Sequence, residues 1–323
     1  WLAAAQVAGM PLTVSEWNVE PFPVADRGTL PLYIAAAASL QGWRAVMLFA
    51  YSQLALDKPG EAGNWEAHND PALMAVMPAA ALMYRRGDVR EAETTYALTL
   101  GPDQFFGQAI SPLNSVALRT AAEKGRLLIV LPRAPQLPWL EPNAVHGEVR
   151  VIKDPQESFV ARNAVDATSD TGELRRNWAR GSYIIDTPRT QAAMGAIGGR
   201  AISLADARIE LVTENASVAI QSLDRNPIAK SRQILISIGT RATPESGNKL
   251  PFHTERVMGS LRLRAPRGLR LYAAQTPAGG ISVADDSKDG IPDRESEIPV
   301  SYGNGRYLVD LSRSAGAHWL VLR

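Results

Sequence analysis

The chain has 323 residues, with 34 Lys and Arg against 33 Asp and Glu, 46% hydrophobic residues and no cysteine. That length holds two domains with sizeable cores. Balanced charge supplies no basic field for nucleic acid, and the lack of Cys removes disulfides and thiolate metal sites. No run of about 18 apolar residues is present, so no membrane span is expected. The 4 His are scattered, and neither a metal nor a cofactor is expected. The compartment stays open: secreted or periplasmic if a signal peptide lies upstream.

Trp1 to Gly9 reads as the end of a helix stopped by glycine, with no basic leader before it. The chain lacks an initiator Met and starts as though inside a helix, which suggests a processed chain, a subcloned piece or a truncated gene. A strand follows at Leu12–Trp17. Thr29 is the expected N-cap of a helix over Leu30–Gln41, with Pro31 in its first turn and Gly42 at its end. The apolar run Ala45–Ala50 fits a parallel strand buried on both faces. Strand, helix and strand together predict a βαβ unit. A long loop leads to Asn69, and loops of this length are usually functional. Asp70 then caps a helix with Pro71 at its first position. That helix runs to Arg86 with a kink at Pro78 and a stop at Gly87.

A change of texture places the domain boundary within Gly87–Arg90. Beyond it, Thr94–Leu100 reads as a strand, Asn114–Lys124 as an amphipathic helix and Leu127–Leu131 as a short strand. Pro132, Pro135, Pro138 and Pro142 stiffen a connector around Trp139. Short strands then follow at Gly147–Lys153, Tyr183–Asp186, Ala192–Ile197, Ala207–Thr213, Ala216–Ser222, Gln233–Gly239, Ser260–Arg264, Leu269–Ala274, Ile281–Ala284, Tyr307–Leu311 and His318–Arg323. Gly and Asn turns separate them, which argues for an antiparallel sandwich.

Within the first strand, Ser15-Glu16-Trp17-Asn18 puts a carboxylate, an indole and an amide at a strand's carboxyl end. This motif resembles the end of the seventh strand in retaining glycoside hydrolases of the (β/α)8 superfamily called clan A. Ala45-Val-Met-Leu-Phe-Ala-Tyr-Ser52 would be the eighth strand, and the later chain resembles the β-rich region that follows some of these barrels. The resemblance implies a mixed fold, α/β plus all-β. Residues 1–88 would be the C-terminal part of a barrel and residues 89–323 an antiparallel β-sandwich accessory domain, with room for two sub-sheets. It also implies Glu16 as the nucleophile and a β-linked polysaccharide or oligosaccharide as substrate.

The bland reading of Glu16 is a structural carboxylate paired with an arginine such as Arg44. A retaining site needs a second carboxylate about 5–5.5 Å away. A full barrel takes about 250 residues, whereas fewer than 90 precede the change of texture, so the family's acid/base has no matching position. Glu20, Glu61 and Glu66 are near in sequence but read as solvated loop charges. The missing section must come from an upstream fragment or a second copy, or the apolar faces must repack on the β-domain. Trp17, Asn18, Tyr51, Trp65 and His68 are the candidate sugar-binding residues, with core plugs and loop hydrogen bonds as their structural counterparts. Thr168–Glu173, Trp178 and Ile185–Arg189 resemble a segment of the accessory domains, and read first as a polar turn with an Asx-turn at Asp170. Asp285–Asp293 faintly resembles a calcium loop but lacks the closing glutamate. No Gly-x-Ser-x-Gly elbow supports a serine hydrolase. The alternative to an enzyme is a non-catalytic carbohydrate-binding or structural module carrying a barrel remnant.

Overall fold

A computed structural model of the chain describes all residues except 1, 20, 21, 25, 55–60, 102, 105–110, 112, 132–147, 275–296 and 315. Glu20, the proline connector around Trp139, the Ile281–Ala284 strand and the Asp285–Asp293 loop therefore lie outside the described residues.

Strand β1 (Thr13–Trp17), helix α1 (Leu30–Gln41) and strand β2 (Ala45–Leu48) form the expected βαβ unit, with the two strands parallel. Pro31 sits in the first turn of α1, and Gly42 closes it in the left-handed region at φ 70°. Thr29 does not cap it. A 3₁₀ turn over Arg27–Thr29 leads straight into the helix, so Thr29 is already helical and its hydroxyl donates backwards to the Asp26 carbonyl at 2.9 Å. Asp70 does cap the next helix, α2 (Pro71–Met74), by accepting from the Ala72 N–H. Pro78 does more than kink it. The helix breaks at Ala75–Val76 and restarts as α3 (Met77–Arg86), with Pro78 in the first turn where its missing N–H is harmless. Gly87 ends α3 at φ 60°.

Strand β3 (Thr94–Thr99) pairs in parallel with β4 (Arg126–Val130) and with β5 (Glu148–Val151), and helix α4 (Val116–Lys124) crosses between β3 and β4. Parallel strands thus continue past residue 90, where the sequence led us to expect antiparallel ones. The physical reason is burial: five of the six residues of β3 are buried, on both faces, as a covered parallel strand requires. Tyr96, Leu98, Leu127 and Ile129 share one apolar cluster with Val14, Trp17, Ile34 and Trp43, so both sides of the Gly87–Arg90 junction contribute to it.

The remainder is a sandwich of antiparallel sheets. The larger sheet runs, edge to edge, Glu297–Ile298, Leu271–Ala274, Trp319–Leu322, Ile234–Thr240, Asn215–Ser222, Thr190–Ala196, Ser182–Asp186, Leu174–Asn177 and Asp166–Thr168. The smaller runs Ala201–Ser203, Ala207–Leu211, Gly259–Arg264, Arg306–Asp310 and Ser301–Gly303. Ile184, Val218, Ile220, Ile236, Leu261 and Val309 fill the space between them. On the opposite face of the larger sheet, Tyr183, Ile185, Met194 and Ala219 pack on Leu32, Ala36, Val76, Ala79 and Met83 of the helical region. Helices, large sheet and small sheet therefore form three layers, and the central strands are buried on both sides. The Ala-rich helix faces permit close approach; at Gly239 a Cβ would stand 3.0 Å from Val76 Cγ1.

The fold is thus mixed, with α/β units joined to antiparallel sheets. Among the described residues β1 and β2 pair only with each other. No described helix is long and apolar enough to cross a membrane.

Candidate functional site

The site begins with an irregularity in β1. Val14 pairs with Val46, but Trp17 pairs with Leu48, so three steps on β1 match two on β2. This is a β-bulge, a device that re-aims side chains. Under strict alternation Glu16 would share the buried face of Val14. Instead Val14 and Trp17 both enter the core, while Ser15 and Glu16 both stay exposed. The bulge turns the glutamate out at the carboxyl end of a parallel strand. Among the described residues Glu16 makes no ion pair, and Arg44 does not reach it.

Glu16 lies on the wall of a cleft of about 670 Å³, together with Trp17 and Asn18 from the strand end, Tyr33 and Gln41 from α1, and Glu123 from α4. Gln41 fixes this wall. Its amide nitrogen donates to the Gly125 carbonyl at 2.6 Å and its amide oxygen accepts from the Leu127 N–H at 2.8 Å. Arg176 pairs with Glu123 and lies 5.5 Å from the centre of the Tyr33 ring. Burial, and then the Glu123 charge, raise the Tyr33 phenol above its ordinary value, so it remains protonated. Arg119 completes the polar rim, and the floor is apolar: Leu30, Ile34, Leu118 and Leu127.

The other candidates have different positions. The Trp17 ring is buried in the cluster, and its indole N–H has no partner among the described residues. The Asn18 amide is used within the protein: its nitrogen donates to the carbonyls of Phe49 (2.9 Å) and Asn64 (2.5 Å), and its oxygen accepts from the Val19 N–H (2.7 Å). It ties the end of β1 to the end of β2 and to the following loop. The Tyr51 and His68 rings meet at a tilt of 48° with centres 5.8 Å apart, and the His68 Nδ1 lies 3.2 Å from the Tyr51 carbonyl. Trp65 is 52% exposed and meets the edge of Phe49 at 6.0 Å. It lines a second, polar cavity of about 430 Å³ with Phe22, Glu61, Asn64, Glu66 and Asn248. The structure therefore gathers Glu16, Trp17 and Asn18 at one cleft and places Trp65 at another, while Tyr51 and His68 line neither.

Glu66, expected to be a solvated charge, is instead buried and organises the loop. It accepts from the Ser52 hydroxyl (2.7 Å) and from the N–H groups of Gln53 (3.0 Å) and Leu54 (3.2 Å). Burial disfavours its charge, but these bonds and the neighbouring His68 outweigh burial, and its carboxyl lies below the ordinary glutamate value. Glu61 is exposed at the second cavity. The Thr168–Glu173 turn is tied to the chain around residue 90: Asp170 accepts from the Thr94 N–H at 2.6 Å in place of a local Asx-turn, and Glu173 pairs with Arg90 at 2.9 Å. Trp178 is 41% exposed.

Two features escaped the sequence reading. One is the Tyr33–Arg176–Glu123 group, three residues distant in sequence with no motif to join them. The other is a hairpin of Ala242–Ser246 and Lys249–Thr254 that brings Asn248 to the second cavity. Its signal was the Gly247-Asn248 pair, a two-residue turn with Gly247 alone at positive φ (55°), the type II′ arrangement.

Among the described residues no three His, Asp or Glu side chains gather where they could hold a metal ion. The chain matches no protein-family profile, no curated protein and no solved structure.

Proposed function

We propose that residues 1–88 are the C-terminal part of a clan A (β/α)8 barrel, residues 89–323 its β-rich accessory region, and Glu16 the nucleophile of a retaining glycoside hydrolase acting on a β-linked polysaccharide. The observation that carries this reading is the bulge at Ser15–Glu16, which exposes an unpaired carboxylate at a strand end on the wall of a cleft. A buried and paired glutamate would suit a structural role; a free one at a cleft suits chemistry. In the reaction, a Glu16 carboxylate oxygen attacks the anomeric carbon, the glycosidic bond breaks and a glycosyl ester forms. A second carboxyl group, protonated at the start, gives its proton to the leaving oxygen; as a carboxylate it then takes a proton from the water that attacks the anomeric carbon, which releases the sugar and frees Glu16.

Glu123 shares the cleft, but the Arg176 guanidinium engages it. The acid/base is therefore assigned to a polypeptide that completes the barrel, an upstream fragment or a second copy. Support for such a partner comes from the outer face of β1–β2, where Thr13, Ser15 and Met47 are exposed. The test is hydrolysis of aryl β-glycosides by the completed assembly. Glu16→Gln should abolish turnover and leave the circular dichroism spectrum unchanged. Unaltered turnover would overturn the assignment.

The second reading is a non-catalytic carbohydrate-binding module. The engaged state of Glu123 favours it, because the chain's own cleft then offers one free carboxylate rather than two. No turnover by any assembly, with polysaccharide binding unchanged in Glu16→Gln, would decide for this reading.

A further inference from the structure

The second cavity, of about 430 Å³, lies where the loop after β2 meets the hairpin of the β-rich region. Its volume falls in the range of small-molecule sites. Its walls combine two kinds of group. Trp65 offers a half-exposed aromatic face, and three polar side chains stand free: Glu61, Asn64 and Asn248 make no side-chain hydrogen bond with the described residues. Asn64 is the informative one. It is only 7% exposed, yet its amide is unused, although its own carbonyl accepts from Asn18 and Ala50. Its amide atoms are not sealed off but reach the solvent of the cavity, where a ligand with donors and acceptors of its own can bond them.

The cavity is held in shape from both sides. The Ala62 N–H donates to the Asn248 carbonyl at 2.7 Å, which joins loop and hairpin tip directly. Phe22 meets Phe252 edge-on at 6.4 Å, and both rings lie against the Arg27 guanidinium, at 5.2 and 5.6 Å. Glu66 fixes the start of the loop through Ser52, Gln53 and Leu54. A site assembled before the ligand arrives loses less entropy on binding.

We propose that this cavity is a sugar subsite separate from the Glu16 cleft, and that the hairpin residue Asn248 sets which sugar it accepts. A pyranose ring presents C–H groups on one face, which suit an aromatic surface, and equatorial hydroxyls at its edge, which suit amides and a carboxylate. Trp65 supplies the surface; Asn64, Asn248 and Glu61 supply the edge contacts. The β-rich region thereby takes part in recognition instead of only covering the helices. The proposal rests on the carbohydrate reading above but not on Glu16 being a nucleophile.

The experiment is calorimetric titration of the chain with cellohexaose, xylohexaose, mannohexaose and laminarihexaose, in the wild type and in Trp65→Ala, Asn248→Ala and Glu16→Gln. At least one hexasaccharide should bind the wild type. Trp65→Ala should weaken it tenfold or more. Asn248→Ala should weaken it several-fold and alter the ranking of the four sugars, while Glu16→Gln binds as the wild type does. Trp65 and Asn248 are exposed, so both variants should fold, as circular dichroism checks. Binding of none of the four sugars, or equal binding by Trp65→Ala, overturns the subsite. An unchanged ranking in Asn248→Ala overturns the role given to the hairpin. Loss of aryl-glycoside turnover in Glu16→Gln with no hexasaccharide binding would sink this inference alone and leave the catalytic reading intact.

Discussion

Asp70→Ala is the sharpest test of how the site is held. Asp70 accepts from Arg27 Nε at 2.5 Å and Arg27 Nη2 at 2.9 Å, and it caps α2 by accepting from the Ala72 N–H at 2.9 Å. Both side chains of the pair are 1% exposed. Removing the carboxylate leaves a guanidinium buried without its charge partner, which costs about 3–5 kcal/mol, with the lost cap worth about 1 kcal/mol of that. At roughly 2–4 °C per kcal/mol, the unfolding midpoint should fall by about 6–20 °C in a circular dichroism melt. Arg27→Met combined with Asp70→Ser removes both charges and keeps a capping oxygen, so it should recover a large part of that loss. Because Arg27 lies against Phe22 and Phe252, Asp70→Ala should also weaken hexasaccharide binding at the Trp65 cavity. A drop below about 1 kcal/mol, or a double variant no more stable than the single one, would refute the reasoning.

Other consequences are equally direct. Glu66→Gln should reduce stability near neutral pH. The folded carboxyl titrates below its ordinary value, so its contribution is complete above that value of 4.5 and fades as the pH falls through the folded pKa. Urea midpoints of wild type and variant should converge below pH 4.5; a gap that stays constant into strong acid would contradict the hydrogen-bond account. Gln41→Ala strands the Leu127 N–H and the Gly125 carbonyl in a buried corner and should cost about 2–3 kcal/mol in urea unfolding, with a loss under about 0.5 kcal/mol counting against it. Glu16→Gln, by contrast, should change stability by less than about 0.5 kcal/mol, since the side chain is exposed and unpaired. A larger loss would show a structural carboxylate.

Much of the helical scaffold was legible because punctuation residues act locally. Pro31 and Gly42 bound α1, Asp70-Pro71 starts α2, and Gly87 closes α3, each by its own backbone or side-chain chemistry. Thr29 misled because a preceding 3₁₀ turn had already satisfied the helix start. The parallel setting of β3 and β4 was present in the strand–helix–strand order of residues 94–130, the same order that gave β1, α1 and β2, but the short strands that follow led to an antiparallel reading of the whole region after residue 90. The hairpin at Ala242–Thr254 was hidden by Pro244 and Pro251, which argue against strands in general but are tolerated at a sheet edge. At the site, the pattern of Thr13–Trp17 identified the strand but not the bulge. A bulge depends on register with β2, which one strand cannot reveal, and here it decides whether Glu16 faces core or cleft.

The most direct measurement is covalent labelling. A 2,4-dinitrophenyl 2-deoxy-2-fluoro-β-glycoside carries a leaving group that departs without protonation, so the nucleophile can be trapped even where the acid/base is absent. Gluco, xylo, manno and galacto reagents should be incubated with the chain, followed by intact mass and peptide mapping. The account predicts a single fluoroglycosyl ester on Glu16, absent in Glu16→Gln. An ester on another carboxylate, or a chain that all four reagents leave unmodified, would contradict it.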